Sequence, residues 1–70
     1  MIIHAATVEL LPQDLRMLRD SGLALGLDEP DRSLPIGRSD LAVRLRQARA
    51  DTADPARRQV LVSFLKQLRA

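Results

Sequence analysis

Cysteine, tryptophan and tyrosine are absent from the 70 residues, and Phe64 is the only aromatic ring. Without cysteine there is no disulfide, no thiolate metal site, no cysteine nucleophile and no thiol switch. Without an aromatic platform, recognition of single strands by base stacking is disfavoured, and the core has to be aliphatic. Histidine occurs once, at His4. A metal ligand or general base needs companions that the sequence does not supply, so His4 reads as structural or incidental. No apolar run approaches the ~20 residues of a membrane span, and the first six residues lack the positive start of a secretion signal. The expectation is a cytoplasmic protein with no membrane association.

A chain of 70 residues buries only about 60% of its unfolded surface, and with disulfide and metal excluded, association is the staple left to it. The expectation is one small domain, residues 1–70, that is a homodimer or bound to a protein partner. No His, carboxylate and nucleophile fall together, no glycine-rich loop cradles phosphate, and no metal-ligand spacing occurs. No catalytic residue, cofactor, metal or small-molecule substrate is therefore expected. Ser21, Ser33, Ser39 and Ser63 read as a helix end, a loop, a cap and a solvent-facing position. Ten arginines against one lysine, with abundant Ala and Leu, suit a small bacterial or phage protein.

The clearest element is the last. Asp54 is placed to cap the first turn of a helix, and Pro55 stands where no N–H donor is needed. Leu61, Phe64, Leu65 and Leu68 follow the spacing of one helical face. Val60 and Val62 widen it to about 200°, against the ~100° stripe that a surface helix needs. Such a helix is covered on two sides, and a second copy or another protein is the expected supplier of the second cover. Val60, Leu61, Phe64, Leu65 and Leu68, with Arg57 and Arg58, are thus the candidate partner-binding residues.

In chain order, residues 1–10 alternate weakly, with Ile2, His4, Ala6, Val8 and Leu10 on one side of an extended segment. A lone strand has to pair with another chain or order on a partner. A first helix is expected from Leu11 and Pro12 with Asp14 in its first turn, an apolar stripe of Leu11, Leu15 and Leu18, and a stop at Gly22 or Gly26. Residues 26–38, with two prolines and two glycines, read as a loop. Within it, Leu34, Pro35 and Ile36 either tuck over the core or face a partner. A second helix is expected from a Ser39 cap through Leu41, Leu45 and Ala48. The short turn at residues 51–54 makes the second and third helices an antiparallel hairpin. The fold class expected is mainly α: a short extended N-terminus followed by three helices.

Charge is uneven. Residues 1–35 hold three arginines against six acids, and residues 36–70 hold eight basic residues against three acids. That favours an acidic partner, or nucleic acid, for the second half. Arg57 and Arg58 stand in a first helical turn, where positive charge is disfavoured by up to ~1 kcal/mol. They answer a local ion pair, solubility, a phosphate or a partner carboxylate.

Two functional readings follow. The first is a small non-enzymatic regulatory or adaptor protein: an inhibitor, an anti-sigma-like factor, a co-chaperone or an antitoxin-like factor, acting through an apolar helical face. The second rests on residues 7–18 and 37–45, which resemble the strand, first helix and second-helix opening of ribbon-helix-helix DNA-binding proteins. The resemblance implies a dimer that inserts a two-chain ribbon into the major groove. It implies Thr7 and Glu9 facing the bases and Ser39 with its amide groups on phosphate; Arg38 and Arg44 are further candidate DNA contacts. The two readings differ in where Arg38, Arg44, Arg46, Arg49, Arg57 and Arg58 fall: together on one face beside a ribbon for DNA, scattered or paired with aspartates for a protein partner.

Overall fold

The computed structural model of the chain describes residues 1–23, 25 and 32–69. Among them the element order is β1 (Ile2–Ile3), β2 (Thr7–Leu10), α1 (Pro12–Asp20), β3 (Leu34–Gly37), α2 (Arg38–Asp51) and α3 (Pro55–Arg69). The fold is mainly α, with the helical hairpin of α2 and α3 backed by α1 and by a small antiparallel sheet in the order β1-β2-β3.

The N-terminal segment departs from the single strand expected. The His4 N–H donates to the Thr7 carbonyl at 2.8 Å, which folds residues 1–10 into a hairpin pairing Ile2 with Glu9 and Ile3 with Val8. Reversal puts Ile2 on the opposite face from Val8 and Leu10, which are fully buried. The backbone groups of β2 find partners within the chain, in β1 on one side and β3 on the other.

The expected loop at 26–38 is also corrected in its second half. Residues 26–31 lie outside the described residues, but Leu34–Gly37 form a strand, and helix α2 begins at Arg38. Leu34 and Ile36 stand opposite Leu10 and Val8 and pack half-buried on the core, so the apolar tripeptide tucks in. The Arg38 N–H donates to the Ala6 carbonyl at 2.9 Å. With this register, Leu34 and Ile36 bond to β2, and the backbone of Pro35 faces the open edge. A proline costs no hydrogen bond there, and its missing donor blunts the edge against a further strand.

Helix α1 starts at Pro12, as its sequence indicates. Its buried acid, Asp14, accepts the Leu11 N–H at 3.0 Å and lies 2.8 Å from the Met1 α-amino group. The stop is at Gly22, with φ 95°. The Gly22 N–H donates to Arg19 at 3.0 Å and the Leu23 N–H to Leu18 at 2.8 Å, the paired closure of a Schellman motif, with Leu18 and Leu23 both in the core. Gly26, the other stop expected, lies outside the described residues.

Gly37, not Ser39, occupies the capping position of α2, and Ser39 stands exposed as the second residue of the helix. For α3 the expected cap is present: Asp54 Oδ1 accepts the Ala56 N–H at 2.9 Å. Leu41 and Leu45 of α2 interlock with Leu61, Phe64, Leu65 and Leu68 of α3 in one cluster with Val8, Leu10, Leu15 and Leu18. Each fully buried leucine contributes about 1.5–3 kcal/mol against its ordering cost. The radius of gyration is 11.1 Å, the about 11 Å of a packed domain of this length.

Candidate functional site

The wide apolar face of α3 was expected to need a second copy or partner. It is covered by this chain instead, by α2 and α1, within a cluster that also holds Val8 and Leu10 of the sheet. Leu61 is 0% exposed and Phe64 3%, while Leu65 and Leu68 are equally enclosed and Val60 is half-buried against the same cluster. Reading the face as doubly covered was sound. The supplier differs because α2 packs on one side of the face and α1 on another, so both covers come from within the chain.

The two arginines of the first turn of α3 are held locally. Arg57 Nε lies 3.7 Å from Asp54 Oδ2, and Arg58 Nη2 donates to the Thr52 carbonyl at 2.9 Å. Thr52 is the residue that ends α2, so Arg58 serves the open carbonyl end of the neighbouring helix. Arg38, in the first turn of α2, does the reverse and donates through Nη2 to the Leu68 carbonyl in the last turn of α3. Arg44 pairs with Asp40 at 3.1 Å, one turn away on the same helix.

Of the six arginines whose placement separates the two readings, four thus have partners inside the chain. Arg46 and Arg49 have none among the described residues. Thr7 stands opposite Gly37 and so beside Arg38 and Ser39, whereas Arg44 lies farther along α2 with its aspartate. Thr7 is exposed on the outer face of the sheet with Glu9 and Pro35 as register neighbours.

Between the start of α2 and the end of α3 lies a pocket of about 200 Å³. From α2 it is lined by Arg38, Ser39, Ala42 and Arg46; from α3 by Leu65, Leu68 and Arg69. Three arginines and, among the described residues, no acidic residue line it, together with the aliphatic side chains of Ala42, Leu65 and Leu68. Arg69 was not singled out by the sequence, because it joins Arg38 and Arg46 only through the antiparallel return of α3. A second pocket, about 190 Å³, lies at the other end between Ser21, Ala48, Asp51, Thr52 and Arg57, and its charges are mixed. Both fall below the ~300–1,000 Å³ of cofactor and small-molecule sites.

Among the described residues no three His, Cys, Asp or Glu side chains cluster to hold a metal ion, and His4 is exposed to solvent. No described helix is long and apolar enough to cross a membrane. Among the described residues the most exposed large apolar side chains are Met17 at 48%, Val43 at 47%, Ile2 at 44% and Ile3 at 37%. The class that fold and surface define is a helical hairpin on a three-stranded sheet with an arginine-lined notch at one end. No family model matches the chain, and neither a curated protein nor a solved structure matches it significantly.

Proposed function

We propose that this chain is a small non-enzymatic binding protein that works inside the cell as an adaptor or regulator of a protein partner. The observation that carries this reading is the disposition of the arginines. Arg38, Arg44, Arg57 and Arg58 are occupied by carbonyls and aspartates of the chain itself, so positive charge is broken into local pairs and one notch. Duplex DNA rewards the opposite, a continuous basic face that displaces many counterions. The pairing of β2 on both sides within the chain also favours this reading over a two-chain ribbon, which would have to displace β1 or β3.

With the apolar face of α3 enclosed, contact with a partner falls to exposed groups: the notch and the scattered apolar residues Met17, Val43, Ile2 and Ile3. Sedimentation equilibrium of the protein, with and without a random-sequence duplex at low and moderate salt, tests the reading. The expected result is a mass indifferent to the duplex at both salts. A complex that forms at low salt and dissociates steeply as salt rises would favour the DNA-binding alternative.

A further inference from the structure

Arg38, Arg46 and Arg69 meet in the notch, but their structural duties differ. Arg38 donates to the Leu68 carbonyl, and Arg69, in the last turn of α3, complements the negative end of its own helix. Arg46 has neither duty. It stands in the middle of α2, without an acidic partner among the described residues, and lines the notch over Ala42 and Leu65. Arg44, two positions earlier, by contrast pairs with an aspartate one turn away, and Arg49, also without a partner among the described residues, does not line the notch.

We propose that the notch receives an acidic side chain of the protein partner, its carboxylate held by Arg46 and Arg69 and its neighbouring apolar atoms resting on Ala42, Leu65 and Leu68. The planar guanidinium fork matches a carboxylate in two parallel hydrogen bonds. The notch is too small for a cofactor, and its aliphatic floor suits a peptide better than the hydrated phosphates of a nucleic acid. Charge complementarity selects the occupant: an extended segment alternating acidic and apolar residues. The assignment rests on the protein-binding reading.

The test uses the whole chain and a fluorescent peptide of alternating glutamate and leucine, with a glutamine-and-leucine peptide as control. Anisotropy reports affinity, and backbone amide shifts report location. The glutamate peptide is expected to bind with shifts centred on Ser39, Ala42, Arg46 and Arg69, and the control to bind at least tenfold more weakly. Arg46→Gln, at an exposed position with no partner among the described residues, should keep the circular dichroism of the parent and weaken the glutamate peptide about tenfold, as the loss of a charge-assisted contact predicts. Arg46→Lys should fall between the two.

Equal binding of both peptides, unchanged affinity in Arg46→Gln, or shifts centred elsewhere would overturn the assignment of the notch and leave the wider reading standing. Displacement of the peptide from the same residues by a DNA duplex at moderate salt would overturn both. Displacement by millimolar inorganic phosphate alone would mark a general anion site and overturn the choice of a peptide carboxylate.

Discussion

Asp14 joins three segments of the fold, and replacing it measures how much that junction is worth. Its Oδ2 accepts the Leu11 N–H at 3.0 Å and lies 2.8 Å from the Met1 α-amino group, with the residue only 8% exposed. In Asp14→Ala the Leu11 N–H loses its acceptor in a partly buried site, which costs about 1–3 kcal/mol. The lost ion pair adds about 1 kcal/mol, less than a fully buried pair because the terminus can turn to water. The expected total is about 2–4 kcal/mol, out of the ~4–10 kcal/mol ordinary for 70 residues. Urea unfolding followed by far-ultraviolet circular dichroism reads this directly. With a slope near 1 kcal/mol per molar, the midpoint should fall by about 2–4 M.

Asp14→Asn separates the two contributions, because its amide oxygen still accepts from Leu11 while the charge is gone. It should cost about 1 kcal/mol. Acetylating the α-amino group should cost a similar amount in the parent and little in Asp14→Asn. An Asp14→Ala variant within ~0.5 kcal/mol of the parent, the range of an ordinary surface substitution, would refute the reasoning.

Gly22→Ala should destabilise by about 1–2 kcal/mol. The cost comes from the φ of 95° rather than from crowding, since a Cβ there meets nothing within 4 Å. Thermal unfolding should show a fall of roughly 4–16 °C, and Gly22→Asn a smaller one. Leu45→Ala opens a cavity in the fully buried centre between α2 and α3, and denaturant unfolding should register a loss of about 2–5 kcal/mol. Arg38→Met keeps the aliphatic stem but leaves the Leu68 carbonyl without its donor. About 1–2 kcal/mol should be lost, with the amides of the last turn of α3 exchanging hydrogen faster than those of α1.

The helices were legible because their signals are local. Proline at each start of α1 and α3, an aspartate before α3 and leucines at helical spacing specify them without reference to the rest of the chain. The sheet was not, and two residues explain why. The turn of the β1–β2 hairpin is Ala5 and Ala6, neither of which carries the glycine or asparagine signature of a two-residue turn, so the reversal could not be seen. Pro35 argues against a strand unless its backbone faces an open edge, and that orientation depends on the pairing of Ala6 with Arg38. The second cover over α3 was assigned to another molecule for a different reason: it comes from α1, and nothing local in the sequence says that α1 returns to pack on α3.

The notch was hidden for a related reason. Arg46 was one of six arginines whose grouping had to be known, and Arg69 becomes its neighbour only when the hairpin closes. The same closure resolves the conflict at Arg57 and Arg58, where positive charge stands at the N-terminus of a helix. In an antiparallel pair the start of each helix is beside the end of the other. An arginine in the first turn of α3 therefore sits by the unsatisfied carbonyls of α2, and one in the first turn of α2 by those of α3. Arg58 reaching Thr52 and Arg38 reaching Leu68 use that geometry reciprocally. Each accepts a small penalty from its own helix dipole and offsets it by satisfying the neighbour's open end. The rule broken within one helix is kept by the pair, and two of the eight basic residues of the second half, Arg38 and Arg58, close the hairpin in this way. Arg46 lies outside that device, which is why it is the position whose substitution separates recognition from folding.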